Sequence, residues 1–157
     1  MLLRIFIHGL ESNNQGTKAV YFRKNFPAML TPNFPGPLDE RMEKLQTALS
    51  GQSEVILVGS SFGGLMASIF AMENEPRVKR LILLAPAINL MEFTPYRERK
   101  IEMPVYVYHG RQDDVISLED VQKAARQVFS NLTFHAVEDD HYLHKTFKKI
   151  EWDTLLS

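Results

Sequence analysis

The chain has 157 residues, of which 45% are hydrophobic and 24% are charged, with a formal net charge of −1 and no cysteine. We expect one domain over residues 1–157, since this length is short for an enzyme with a separate cap or substrate domain. The near-neutral charge argues against nucleic acid or an anionic membrane as a partner, and the lack of cysteine excludes disulfides, thiol catalysis and thiolate metal sites.

Short apolar runs alternate with amphipathic segments along the chain, a pattern typical of a parallel sheet flanked by helices. The first run, Leu2–Ile7, is interrupted by Arg4 and followed directly by His8-Gly9. It therefore predicts a strand and neither a leader peptide nor a membrane span, and we expect a cytoplasmic protein. Further strands are predicted at 28–31, 54–58, 80–84, 105–108 and Leu132–Val137, and helices at 17–26, 38–50, Phe62–Glu73, after the capping residue Ser117, and at 145–156.

The residues Gly59-Ser60-Ser61-Phe62-Gly63 form a G-x-S-x-G pattern between a predicted strand and a predicted helix. About one chain in twenty of this length would contain such a pattern by chance, so its position carries the argument. In a nucleophile elbow, the sharp turn from strand to helix needs small residues on both sides and exposes a strained serine. The residues that end a phosphate-binding loop or form a dinucleotide fingerprint are absent. Ser61 is therefore the candidate nucleophile.

A serine hydroxyl needs a histidine base, an acid that orients this histidine, and donors for the oxyanion. These groups are expected just past strand ends, because ligands bind at the carboxyl edge of a parallel sheet. Asp113, in the turn after the fifth predicted strand, is the candidate acid, and Asp114 is the alternative. Either aspartate could instead form an Asx-turn. His141 follows the last predicted strand and is the candidate base, with His144, expected inside the next helix, as the alternative.

The other three histidines are interpreted as structural residues. His8 and His109 belong to His-Gly turns after strands, and His135 alternates within a strand. The loop after His8 is nevertheless the expected position of an oxyanion donor. We assign the backbone N–H groups of Leu10 and Phe62 as the two donors.

The elbow and the chain order serine, aspartate, histidine resemble the α/β-hydrolase superfamily across essentially the whole chain. The opening residues His8 to Asn13 with Thr17-Lys18-Ala19, together with Val58 to Gly64, are similar in particular to the YqiA-type compact bacterial esterases. This resemblance implies an α/β fold with about six parallel strands flanked by helices. It also implies acyl-ester hydrolysis without a cofactor or a metal. The segment 87–102 is too short for the cap domain that many relatives carry, so we expect an open site.

The expected substrate is a small-molecule acyl ester or thioester, which makes the protein a carboxylesterase or thioesterase. Met91, Phe93 and Tyr142 are candidate substrate-binding residues, together with Leu10, because all lie on predicted loops at the active edge. Ordinary closure of the core is the alternative role for these side chains. Basic residues at 97–100 and 148–149 have acidic neighbours, which favours a solvated surface over nucleic-acid binding.

Two other functions remain open. The chain could be a binding or scaffold protein that retains the hydrolase fold and presents an exposed loop at 91–96. A metal site at Asp139, Asp140, His141 and His144 is less favoured, because paired aspartates and H-x-x-H spacing recur on solvated helix starts.

Overall fold

The computed structural model describes residues 1–157 and contains a five-stranded parallel sheet, as the apolar runs predicted. The strands lie side by side in chain order, and every neighbouring pair is parallel. They are β1 Leu2–Ile7, β2 Glu54–Ser60, β3 Val78–Leu84, β4 Val105–Gly110 and β5 Leu132–Val137.

Parallel neighbours require crossover connections, and helices supply most of them. The helices are α1 Thr17–Asn25, α2 Leu38–Ala48, α3 Phe62–Glu73, α4 Leu118–Val128 and α5 Trp152–Leu155, with 3-10 helices at Glu75–Arg77, Met91–Tyr96 and Phe147–Lys149. The link between β3 and β4 holds only the 3-10 helix Met91–Tyr96, so no cap domain lies there. No helix in the chain combines the length and apolar character that crossing a bilayer requires.

The segment 28–31, expected as a sixth strand, forms a single parallel bridge instead. Leu30 pairs with Ile5 at the β1 edge, through backbone hydrogen bonds of 2.9 Å to Arg4 and from Phe6. The following Pro32 has no N–H group and so ends the ladder after one bridge. The segment lies where a sixth strand would pair, but it is too short to be one.

Apolar residues cover both faces of the sheet, which gives two cores. Along β2, Val55 and Leu57 point into a larger core and Ile56 and Val58 into a smaller one, as the two-residue period of a strand requires. The larger core packs under α2, α3 and α4. Every residue of α3 except Glu73 is buried, so this helix is the central element of that layer.

The helix expected over 145–156 is wrong, because the chain forms two short pieces there. Ile150 is extended (φ −65°, ψ 143°) between the 3-10 helix Phe147–Lys149 and α5. The indole N–H of Trp152 donates to the carbonyl of Phe147 at 2.9 Å, and the two rings pack with centroids 5.5 Å apart. This local side-chain contact stands in place of the regular helical hydrogen bonds that the sequence pattern favoured.

Candidate active site

Ser61 lies on the sharp turn between β2 and α3. Its backbone has φ 56° and ψ −117°, a conformation that few residues other than glycine adopt. A Cβ atom on Gly59 would lie 2.3 Å from the carbonyl oxygen of Gly63, and one on Gly63 would lie 2.0 Å from the carbonyl oxygen of Ile7. The two glycines therefore let α3 pass against β1 and β2, and this close approach holds the strained turn.

A row of hydrogen bonds links Ser61 to two of the predicted partner residues. Oγ of Ser61 is 3.1 Å from Nε2 of His141, and Nδ1 of His141 is 2.8 Å from Oδ2 of Asp113. A carboxylate accepts but does not donate, so Nδ1 carries the imidazole proton and the Nε2 lone pair faces the hydroxyl. The three residues follow β2, β4 and β5, and all lie at the carboxyl edge of the sheet.

Backbone groups hold the carboxylate of Asp113 in this position. Its Oδ1 atom accepts the N–H groups of Val115 at 2.9 Å and Ile116 at 2.8 Å, and its side chain is fully buried. Asp114 is exposed and takes part in none of the four ion pairs of the molecule. Asp113 therefore forms an Asx-turn and contacts His141 at the same time.

His109, which the sequence indicated only as a turn residue, is a second histidine beside Asp113. Its Nε2 atom donates to the carbonyl of Ile116 at 2.9 Å and lies 3.2 Å from Oδ2 of Asp113. The ring is fully buried and its Nδ1 atom has no partner. Burial lowers the pKa of His109, which favours the neutral ring. The only sequence signal for this contact is the four-residue spacing between His109 and Asp113 across a turn.

The two aspartates before His141 stabilise the loop that carries it. Burial alone would raise the pKa of Asp139, but hydrogen bonds from Asp140, Thr146 and Lys145 hold it below its ordinary value. Its Oδ2 atom accepts the hydroxyl of Thr146 at 2.8 Å, while Asp140 accepts Nδ1 of His144 at 2.6 Å. His144 thus lies in a turn, paired with Asp140, and not in a helix. No group of three His, Asp or Glu side chains is arranged to hold a metal ion.

The loop after β1 lies against the elbow. A Cβ atom on Gly9 would be 3.4 Å from Cβ of Ser61. The ring of His8 fixes this loop, because its Nε2 atom accepts the N–H of Phe34 and its Nδ1 atom donates to the carbonyl of Gly9, both at 2.8 Å. Burial lowers the pKa of His8, in keeping with a neutral ring that accepts on one side and donates on the other.

The two backbone N–H groups predicted as oxyanion donors belong to Leu10 and Phe62, the residues that follow Gly9 and Ser61. The N–H of Leu10 makes no backbone hydrogen bond. The N–H of Phe62 belongs to the first turn of α3, where such groups have no partner inside the helix. Both residues line the same cavity as Ser61 and His141.

That cavity has a volume of about 700 Å³ and opens beside Ser61. Tyr142 and Leu10 line it, as expected from the sequence, but Met91 and Phe93 do not. The turn of 3-10 helix that begins at Met91 leaves its side chain 84% exposed and buries Phe93 in the larger core, stacked on Tyr96. In the link between β3 and β4, the residues that do line the cavity are Ala87, Asn89 and Leu90, which precede the 3-10 helix.

Lys18 also lines the cavity, a position that no sequence pattern predicted. Its ammonium donates to the carbonyl of Tyr142 at 2.7 Å. Burial lowers the pKa of Lys18, while the charges of Asp140 and Asp139 oppose this shift. Lys18 thereby ties α1 to the loop that bears His141.

Solved structures of other proteins share this architecture. Est1E from Butyrivibrio proteoclasticus superposes with a TM-score of 0.80 at 17% identity, over 98% of this chain and 85% of that chain. An alpha-beta serine hydrolase homologue from Coxiella burnetii superposes with a TM-score of 0.78 at 20% identity, over 98% and 83%. Residues 31–100 match the family model of the alpha/beta hydrolase fold. The chain has the α/β-hydrolase fold.

Proteins with the α/β-hydrolase fold carry out different reactions. The epoxide hydrolase of Bacillus megaterium, solved with an inhibitor, superposes with a TM-score of 0.74 at 13% identity, over 100% of this chain and 94% of that chain. A search of curated protein sequences gave no significant match. Because identities this low concern the fold alone, the side chains at the carboxyl edge must indicate the reaction. The predicted α/β-hydrolase fold is confirmed, and the likeness to YqiA-type esterases stays a prediction.

Proposed function

We propose that the chain is a serine hydrolase that cleaves small acyl esters or thioesters through Ser61, His141 and Asp113. The row of contacts from the Asp113 carboxylate through the His141 ring to a serine on a strained elbow carries this proposal. The α/β-hydrolase fold and its hydrolase neighbours support the broader assignment to the hydrolases. A hydroxyl with a base at 3.1 Å has the local arrangement that nucleophilic catalysis requires.

In the first half of the reaction, Ser61 becomes acylated. Nε2 of His141 takes the hydroxyl proton as Oγ bonds to the carbonyl carbon, and the carbonyl electron pair moves onto the oxygen. The N–H groups of Leu10 and Phe62 stabilise this oxyanion. As the carbonyl reforms, the bond to the leaving oxygen or sulfur breaks, and His141 returns the proton to that atom. Asp113 stabilises the imidazolium and keeps the ring in the productive tautomer.

In the second half, water releases the acyl group. His141 takes a proton from water as the water oxygen bonds to the acyl carbon, and the same N–H groups stabilise the second oxyanion. The bond to Oγ then breaks, Ser61 recovers its proton from His141, and the carboxylic acid leaves.

The cavity suits a small acyl substrate because apolar side chains, including those of Leu10, Phe62 and Tyr142, line about 700 Å³ beside the nucleophile. Est1E was also solved with ferulic acid bound, in a structure with a TM-score of 0.79 and 16% identity to this chain. Aromatic acyl esters therefore belong in the substrate panel beside short aliphatic esters and thioesters.

The test compares wild type with Ser61→Ala and with the control Ser50→Ala. Ser50 is an exposed serine in the turn that follows α2. Turnover of a short acyl ester and labelling by a fluorophosphonate probe should disappear in Ser61→Ala and persist in Ser50→Ala, with unchanged circular dichroism in both. A folded wild-type protein that neither turns over esters nor reacts with the probe would favour the scaffold alternative.

A further inference from the structure

Arg41 is a buried cation that has no carboxylate partner. It lies in the first half of α2, is only 4% exposed, and takes part in none of the ion pairs of the molecule. Its guanidinium donates instead to backbone carbonyls: Nε to Gly36 at 2.6 Å, Nη2 to Leu10 at 3.2 Å and Nη1 to Gly9 at 3.5 Å. A buried charge is costly unless hydrogen bonds compensate it, and here two of its three acceptors belong to one loop.

Those acceptors control the direction of the Leu10 N–H group. The carbonyl of Gly9 and the N–H of Leu10 belong to the same planar trans peptide, so they point in opposite directions. His8 and Arg41 hold this carbonyl on one side, and Arg41 also holds the next carbonyl, that of Leu10. Because the side chain of Leu10 is 50% exposed, packing contributes little to this orientation. The anchored carbonyls thus fix the N–H group.

The same guanidinium contacts the residue that provides the other proposed donor. Its central carbon lies 5.3 Å from the ring centroid of Phe62, within the range of a cation–π contact. A planar guanidinium can stack on a ring and donate along its edge at the same time, whereas a lysine ammonium cannot.

We propose that Arg41 is a positioning residue for the oxyanion site, holding the Leu10 peptide and the Phe62 ring in one arrangement. This inference rests on the proposed serine-hydrolase function. Helix α2 would thus support the active site through the Leu10 peptide, although no α2 side chain touches the reacting atoms.

Arg77 provides a matched control at the amino-terminal end of β3, on the side of the sheet away from the carboxyl ends of the strands. It precedes β3, donates through Nε to the carbonyl of Gln52 at 2.9 Å, and lies 5.2 Å from the ring centroid of Phe70. Arg77→Met thus removes the same kinds of contact as Arg41→Met. The measurements are kcat and KM for a short acyl ester and the inhibition constant of an alkyl trifluoromethyl ketone, which forms a tetrahedral adduct with a nucleophilic serine.

Arg41→Met should lower kcat about 10- to 100-fold, less than outright loss of an oxyanion donor, with KM within about threefold of wild type. The inhibition constant of the ketone should rise by the same factor as kcat/KM falls, because the adduct resembles the transition state. Arg77→Met should leave both quantities within about threefold of wild type. Equal losses in the two variants, or a change in KM alone, would overturn the role of Arg41.

Two further measurements keep the proposal testable if Arg41→Met does not fold. Arg41→Lys retains the charge but cannot span the Gly36 and Leu10 carbonyls, so it should still lose kcat, and Arg77→Lys should not. Amide hydrogen exchange over residues 8–12 should be faster in Arg41→Lys than in Arg77→Lys; equal rates would contradict the proposal. If wild type has no turnover that depends on Ser61, the proposed function itself fails; turnover that survives in Arg41→Lys refutes only the positioning role.

Discussion

Asp113 and Asp114 are adjacent in the chain, but their environments differ completely. The side chain of Asp113 is buried, accepts two backbone N–H groups and contacts His141, whereas Asp114 is exposed. Sequence position alone could not separate them, because both follow β4 in the same turn. The difference arises from the N–H groups of Val115 and Ile116, which only the folded loop directs toward one carboxylate.

We expect Asp113→Asn to lower kcat for a short acyl ester about 1,000- to 10,000-fold, because the amide N–H favours the wrong tautomer of His141. Asp114→Asn should keep kcat within about threefold, since it changes only a solvated carboxylate. Steady-state kinetics on both variants tests this. A larger loss in Asp114→Asn would show that the acid has been misassigned.

His109 and Arg41 show which kinds of side chain the sequence could not reveal. Ser61, His141 and Asp113 were predicted because chemistry restricts their residue types and topology restricts their positions. His109 and Arg41 act through backbone carbonyls, and a bond to a carbonyl leaves no constraint on the residue type at the partner position. Supporting residues of this kind are visible only after the loops have been placed.

The neutral ring of His109 should make stability depend on pH. Its folded pKa is lowered by burial, so between about pH 6.5 and that lower value the unfolded chain binds a proton that the folded chain does not. The contribution of His109 to the free energy of unfolding is therefore fully present above about pH 6.5. It falls as the pH decreases, by up to about 1.4 kcal/mol per pH unit.

His109→Phe removes this titration and also leaves the carbonyl of Ile116 without its donor, which should cost about 1 to 3 kcal/mol at pH 7.5. The difference in the free energy of unfolding between wild type and variant should narrow as the pH falls from 7.5 to 5.5. Urea unfolding at several pH values measures it. A difference that stays constant over this range would mean that His109 is not held neutral.

Among the helices and strands, α3 was the easiest to predict and the C-terminal segment the hardest. The glycines around Ser61 and the apolar residues of α3 agree with one local pattern, so sequence and structure coincide. At 145–156, the pattern was helical, but the Trp152 indole bonds the Phe147 carbonyl and splits the segment. Sequence patterns predict elements where local and tertiary preferences agree and fail where a single side-chain contact prevails.

The packing of α3 against β1 gives a test of the elbow. A Cβ atom on Gly63 would lie 2.0 Å from the carbonyl oxygen of Ile7 and 2.6 Å from that of His8, and these backbone atoms at the end of β1 cannot move aside cheaply. Gly63→Ala should therefore destabilise the fold by at least about 3 kcal/mol or prevent folding.

Gly51→Ala is the matched control, because Gly51 has φ 78° but no atom within 4 Å of a new Cβ. Its cost should be limited to backbone strain, about 1 kcal/mol. Urea unfolding followed by circular dichroism compares the two variants. A cost as small at position 63 as at position 51 would mean that the chain accommodates a Cβ atom beside the carbonyls of Ile7 and His8, which would contradict the crowding.

For the molecule as a whole, the alternation of apolar runs with amphipathic segments predicted the class of fold. The number of strands depended on one residue, Pro32. The α/β class follows from apolar runs separated by amphipathic helices, and the sheet is parallel as expected. The segment 28–31 has a strand-like composition, but Pro32 limits it to one bridge. Chain-wide periodicity survives such local changes, so it predicts architecture better than it predicts the extent of each strand.

The two cores lie on opposite faces of one sheet, so we expect residues 1–157 to unfold as one cooperative unit. Trp152, the only tryptophan, lies in the smaller core against Phe22, with ring centroids 4.9 Å apart, and its fluorescence reports that face. Far-UV circular dichroism reports the helices on both faces. The adjacent residues Leu83 and Leu84 of β3 are both fully buried, the first in the larger core and the second in the smaller.

Leu83→Ala and Leu84→Ala should each lower the free energy of unfolding by about 2 to 5 kcal/mol. In each variant, fluorescence and circular dichroism should give the same urea midpoint, because loss of packing on one face removes support from the strands that both faces share. The test is equilibrium unfolding with the two probes on one sample. If Leu83→Ala shifts the circular dichroism midpoint and leaves the Trp152 transition where it was, the two layers unfold independently and the single-domain expectation fails.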